Sequence, residues 1–194
     1  LIYLITNRHL VSEERYFQIL KEASLAGVNN IILREKDLSN EDFKKLYYKV
    51  RNIVNPNTNI IINSKIQVFK EVKENTIHLS FKDFINLKDN SIKNIGVSVH
   101  TVEEGIKANN LGCSYILASH IFHTKCKEGL QPKGLNFIKE LKENITCPII
   151  ALGGITAYNA GHVIKAGANG VALMSAFFQC ESIGKLVKSI NRND

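Results

Sequence analysis

Short runs of β-branched and other apolar residues alternate with longer stretches in which apolar positions recur every three or four residues, and the alternation continues along the whole chain. The runs predict strands at 1–5, 30–34, 59–62, 76–79, 94–98, 114–118, 147–151 and 169–173. Between them the spacing predicts helices near 12–26, 39–54, 65–73, 101–111, 134–144 and 157–167, a last one near 175–191, and only a short turn near 82–88. Eight strands with helical connections imply an α/β fold, a parallel (β/α)8 barrel of the TIM type.

Local chemistry supports several boundaries. Ser12 precedes the first helix, while Ser39 with Asp42 and Thr101 with Glu104 carry the spacing of a capping box or a weaker relative of it. Gly27, Gly112 and Gly167 each follow a helical run and precede a strand, the place of a left-handed C-terminal cap. The triplets Ala26-Gly27-Val28, Leu111-Gly112-Cys113 and Ala166-Gly167-Ala168 therefore read as one βα module used repeatedly.

The length of 194 residues fits one domain spanning 1–194, and 44% hydrophobic content is ample for its core. No apolar run approaches the roughly 20 residues that cross a bilayer, and Leu1-Ile2-Tyr3-Leu4-Ile5 reads as a first strand rather than a signal peptide, so no membrane partner is expected. Cys113, Cys126, Cys147 and Cys180 match neither a close-pair zinc pattern nor a small disulfide framework, and reduced thiols in a cytoplasmic protein are expected. The net charge of +7 is spread over helical faces such as Lys44, Lys45, Lys49 and Lys139, Lys142 rather than gathered in a nucleic-acid-binding module, so no nucleic-acid partner is expected. Nothing in the pattern decides between a monomer and a homo-oligomer.

In such a barrel the residues just past each strand converge on one pocket. They are Thr6 and Asn7, Arg34 and Lys36, Asn63 and Ser64, Ser80, Ser98 and His100, His120 and Thr124, Gly153 and Gly154, and Met174 and Ser175. The set is cationic and hydroxylated with no carboxylate at its centre, which favours an anionic small-molecule substrate. Gly153 and Gly154 let backbone amides approach a phosphate, and Ser175 opens the final helix; a Gly-Gly pair that simply makes a tight turn is the alternative. Arg34 and Lys36, two residues apart, would point to one side and grip a second anionic group, unless they pair with Glu35 or Asp37 in solvent. Of the six histidines, His9, His78, His123 and His162 read as loop, strand-packing or helix-surface residues, and His100 as either pocket floor or helix cap. His120, at the tip of the sixth strand, has the position and near-neutral titration of a proton shuttle.

The segments Tyr3-Leu4-Ile5-Thr6, Ile32-Leu33-Arg34-Glu35-Lys36, Ile95-Gly96-Val97-Ser98-Val99-His100, Ile149-Ile150-Ala151-Leu152-Gly153-Gly154-Ile155 and Gly170-Val171-Ala172-Leu173-Met174-Ser175 together resemble the thiamin phosphate synthase superfamily across residues 1–176. The resemblance implies one of two activities. The synthase joins a pyrimidine pyrophosphate to a thiazole phosphate using magnesium; the TenI-type tautomerase isomerises a carboxylated thiazole phosphate without metal or cofactor.

Departures from the synthase pattern favour the tautomerase. An Asn-Asp pair expected after the third strand reads Asn63-Ser64, and a Gly-Gln-x-Asp segment expected after the fourth reads Ser80-Phe81-Lys82-Asp83. Where the synthase has Gly-Pro-x-Phe-x-Thr, this chain has Ser119-His120-Ile121-Phe122-His123-Thr124, resembling the tautomerase in its histidine. The expectation is therefore a thiazole tautomerase with His120 as catalytic base, taking a thiazole phosphate and no cofactor. Gly153, Gly154 and Ser175 are expected on phosphate, Arg34 and Lys36 on carboxylate or phosphate, and Thr124 and Lys127 on the anion by family position. The alternatives are the magnesium-dependent synthase and a non-catalytic, regulatory phosphate-ligand-binding protein.

Overall fold

The structure, a computed structural model, describes residues 1–124 and 129–191. Eight strands form a closed barrel in sequence order: β1 (Ile2–Ile5), β2 (Asn30–Leu33), β3 (Asn59–Asn63), β4 (Ile77–Ser80), β5 (Ile95–Val99), β6 (Tyr115–Ser119), β7 (Ile149–Leu152) and β8 (Gly170–Leu173). Every pairing is parallel, and β1 closes the ring by pairing with both β2 and β8, in register Tyr3 with Asn30 and Tyr3 with Ala172. The TIM-type barrel expected from the alternation of patterns is the observed fold, and each strand lies within two residues of its predicted bounds.

The helices are α1 (Glu13–Ala26), α2 (Asn40–Ile53), α3 (Ile66–Glu71), α4 (Phe81–Ile85), α5 (Val102–Asn110), α6 (Gly134–Asn144), α7 (Ala160–Lys165), α8 (Ser175–Gln179) and α9 (Ile183–Asn191). Two expectations are corrected. The segment after β4 is a short helix rather than a turn, because the Ser80 side chain accepts from the Asp83 amide and caps it. The single helix predicted over 175–191 is two, interrupted around Cys180 where the backbone is extended. No helix of the described residues is long and apolar enough to cross a membrane.

The caps inferred from sequence are made: Ser12, Ser39 and Thr101 accept from the amides of Arg15, Asp42 and Glu104. The repeated glycine module is also physical. Gly27, Gly112 and Gly167 are all left-handed, and the next residue in each case donates to the carbonyl five positions back, Val28 to Ala23, Cys113 to Ala108 and Ala168 to Val163.

Strand alternation sorts side chains into two cores. Tyr3, Ile5, Ile32, Ile61, Tyr115, Leu117, Ile150 and Ala172 fill the barrel interior. Their neighbours, such as Ile2, Leu4, Ile31 and Leu33, face outward and join the larger core beneath the helices. The interior is filled near its base, and open space remains toward the strand C-termini.

Candidate functional site

That space is a cavity of about 450 Å³ at the C-terminal mouth of the barrel. It is bordered by residues from most of the strand ends, among them Arg34, Lys36, Asn63, Ser64, Ser80, Ser98, His100, His120, Thr124, Gly153, Gly154, Met174 and Ser175. Of the site residues expected from sequence and present among the described residues, all but Thr6 and Asn7 converge here. Lys127 and its neighbour Cys126 lie outside the described residues.

Thr6 and Asn7 do not border the cavity. Thr6 is buried beneath Arg34, whose backbone amide donates to Thr6 Oγ1 at 2.9 Å, and Asn7 caps a short 3-10 turn, Arg8–Leu10. Both therefore support the rim of the site.

Period two in the β2–α2 loop separates Arg34 and Lys36 from Glu35 as expected. Glu35 turns away, is 2% exposed, and accepts from the Arg8 amide at 3.2 Å and from the Tyr16 hydroxyl at 3.2 Å. Asp37 is taken by the Arg8 guanidinium, with His9 Nε2 at 3.3 Å, and a hydrogen bond from its own backbone amide together with these side chains holds its carboxyl below the usual range. With both acidic neighbours engaged elsewhere, Arg34 and Lys36 form no ion pair among the described residues. Their charge faces the cavity.

His120 is 4% exposed, and its backbone is held from two sides. The Ile121 amide donates to Leu152 O and the Lys133 amide to His120 O, both at 2.9 Å. The glycine pair completes this clasp. Gly153 has φ +104°, and a Cβ there would stand 2.4 Å from His120 Cβ; at Gly154, φ +65°, it would meet His123 O at 2.4 Å. The pair borders the cavity as expected, but the absence of side chains serves first to let the β6 and β7 loops touch, a use that spacing alone could not reveal. Ser175 begins α8, a helix of only five residues.

His100 resolves as cavity wall. Its Nδ1 donates to Ser119 O at 3.0 Å, and its backbone amide donates to Glu104 Oε2 at 2.6 Å. His9, His123 and His162 are at the surface, as read from sequence. His78 packs inside the barrel, as expected of a strand residue, yet also borders the cavity, which sequence reasoning missed; the available signal was its place between outward-facing Ile77 and Leu79. Burial, aided by the Arg34 charge, pushes its imidazole down to about 3.

A magnesium ion is implied by the synthase resemblance, and the residues present fit it poorly. Among the described residues no carboxylate borders the cavity, and no group of three or more His, Cys, Asp or Glu could hold a metal. Asp83, the one candidate after β4, is hydrogen-bonded to the Ser80 hydroxyl at 2.7 Å within the cap of α4. Asn63 and Ser64 offer only neutral oxygens where a hard cation favours carboxylates, and the Asn63 amide donates to Ser64 Oγ at 2.7 Å.

Comparison with known proteins bears on the two activities. A family model described as thiamine monophosphate synthase matches residues 2–177. The chain is 29% identical over 187 residues to a thiamine-phosphate synthase of Clostridium acetobutylicum, covering 94% of this chain and 89% of that protein. It is 30% identical over 195 residues to one of Clostridium novyi, covering 97% and 96%. A thiamine phosphate pyrophosphorylase from Pyrococcus furiosus superposes with TM-score 0.84 at 24% identity, covering 99% of this chain and 94% of that one, which supports the fold. These relatives carry the synthase name, and this overturns the expectation of an isomerase, the thiazole tautomerase: that expectation rests on the histidine at 120 and the missing aspartate, whereas similarity over nearly the whole length points to the transferase. Cavity, barrel and matched length agree on one grouping, and the chain belongs to the thiamine monophosphate synthase family.

Proposed function

We propose that this protein is a transferase of the thiamine-phosphate synthase type, joining a pyrimidine pyrophosphate to a thiazole phosphate. The observation that carries the reading is the match of the family over residues 2–177, to which the cavity adds a fitting charge. Two phosphorylated substrates bring several negative charges, and a mouth bordered by Arg34 and Lys36, with no carboxylate among the described residues around it, suits them.

In this reading Arg34 grips an anionic oxygen pair by its two parallel donors, with Lys36 as a second point charge. The backbone amides about Gly153 and Gly154, with Ser175 and Thr124, take the second anion; Lys127 is carried as a further contact by family position. His120 is assigned as a contact on bound substrate, since the proton shift for which it was expected as a base belongs to the overturned activity. Holding both substrates in one 450 Å³ space aligns attacking and departing atoms, and cationic groups stabilise the charge that gathers on leaving pyrophosphate. No step is routed through a metal, because the donors present do not suit one.

The lack of a carboxylate among the described residues that border the cavity favours one second reading, a binding protein that retains the phosphate pocket without turnover. One experiment separates them. The purified chain is mixed with the pyrimidine pyrophosphate and the thiazole phosphate, with added magnesium and with chelator, and thiamin phosphate is followed by chromatography. Formation of product supports the transferase. Binding of either substrate by calorimetry with no product under any condition would refute it and leave the binding protein.

A further inference from the structure

Beneath the cavity floor, three side chains from neighbouring strands make a continuous line of polar atoms that the transferase reading does not use. Tyr115 on β6 places its hydroxyl 2.9 Å from Nδ1 of His78 on β4, and Nε2 of His78 lies 2.8 Å from Oγ of Ser98 on β5. Ser98 and His78 border the cavity, whereas Tyr115 is buried below it. Gly96 makes this arrangement fit. A Cβ there would stand 2.0 Å from Tyr115 Cζ and 2.4 Å from its hydroxyl oxygen, so any side chain at 96 would expel the ring.

The direction of each hydrogen bond follows from the donors available. Tyr115 is flanked by the rings of Tyr3 and His78, and among the described residues the polar partner of its hydroxyl is His78 Nδ1. Were Nδ1 protonated, the phenolic hydrogen would be buried without an acceptor, a costly arrangement. Tyr115 therefore donates and Nδ1 accepts. The single proton of neutral imidazole then sits on Nε2 and is donated to Ser98 Oγ. Burial and the nearby Arg34 charge keep the ring neutral. With an oxygen lone pair taken by His78, the Ser98 hydroxyl is left to turn its hydrogen toward the cavity.

We propose that His78, oriented by Tyr115, is a positioning residue that commits the Ser98 hydroxyl to donate into the cavity, so that this part of the floor selects a hydrogen-bond acceptor on the ligand, a ring nitrogen or an anionic oxygen. The hydrogen-bond directions stand on geometry, and the kinetic consequence rests on the transferase reading.

Long-range nitrogen–proton correlation spectra of the protein labelled at histidine nitrogen test the directions, with His78→Gln assigning the signals. His78 is expected as the Nε2–H tautomer at neutral pH. Ser98→Ala should shift the Nε2 proton while keeping that tautomer, and Tyr115→Phe should turn the ring into a mixture of both. An Nδ1–H tautomer or an imidazolium at neutral pH in the parent chain would overturn the proposal. In the coupling assay, Ser98→Ala should raise KM for one substrate by about tenfold, the worth of a hydrogen bond to a charged acceptor, with kcat changed far less. Tyr115→Phe should move KM the same way by less. An unchanged KM for both substrates in Ser98→Ala would overturn the donor role, whereas a parent chain without coupling activity would refute the transferase reading and leave the spectra to decide the tautomer.

Discussion

Replacing Gly153 by alanine tests whether the glycine pair exists to let two loops touch. Two costs follow from the local geometry. A non-glycine residue held at φ +104° is strained by about 1–3 kcal/mol, and the added Cβ, 2.4 Å from His120 Cβ and 2.8 Å from its Cα, overpacks the contact by about 1–3 kcal/mol more. The expected loss is about 2–6 kcal/mol, a large part of the ~5–15 kcal/mol that holds a domain together. For a chain of this length it lowers Tm by roughly 5–20 °C. Gly184 in α9 provides the contrast, because its φ is not left-handed and nothing lies within 4 Å of a Cβ built there. Gly184→Ala should stabilise by up to about 0.5–1 kcal/mol, so the same substitution has opposite signs at the two positions. Urea unfolding of parent and both variants measures this, with calorimetric titration of inorganic pyrophosphate reporting displacement of the His120 loop as weaker binding. A Gly153→Ala protein within 0.5 kcal/mol of the parent would refute the close-approach account.

Further outcomes are expected. Arg34→Lys should weaken inorganic pyrophosphate binding by about tenfold at constant net charge, because the two-pronged contact is lost; equal affinity by calorimetry would move Arg34 to the rim. Below the ordinary histidine pKa of 6.5 the unfolded chain takes up a proton that buried His78, held down to about 3, refuses, so stability falls as pH drops through that window. The slope is about 1.4 kcal/mol per pH unit, some 2 kcal/mol by pH ~5, and should be missing in His78→Gln when urea unfolding is repeated across pH. Cys113 and Cys147 sit with sulfurs 3.6 Å apart, and their shared hydrogen bond pushes the Cys113 thiol up and the Cys147 thiol down. Iodoacetamide followed by peptide mass spectrometry should therefore label Cys147 well before buried Cys113. Tyr16→Phe removes a donor from buried Glu35 and should cost about 1.5–3 kcal/mol in the same unfolding assay.

The barrel was legible in the chain because each strand's apolar run and each helix's three-to-four spacing are local consequences of burying one face, and the caps at Ser12, Ser39 and Thr101 are local hydrogen bonds. Strand tips were therefore predictable as a set, and the cavity residues from Arg34 to Ser175 followed from fold rules alone. What each side chain does there depends on neighbours distant in sequence. Thr6 looked like a pocket residue until Arg34, 28 positions away, took its hydroxyl, and Asp83 is spent on capping α4 beside Ser80. Gly153 could be read as open to phosphate, but only the tertiary structure brings His120 against it. His78 read as packing; the polar line from Tyr115 to Ser98 spans three adjacent strands, and its meaning exists only after the barrel closes. The sequence by itself determined the elements, their order and the charge of the mouth, since these follow from local periodicity and composition. Tertiary structure alone decided which polar groups are already satisfied and which remain to face a ligand, because hydrogen bonds and excluded volume are settled between chain segments, not within them.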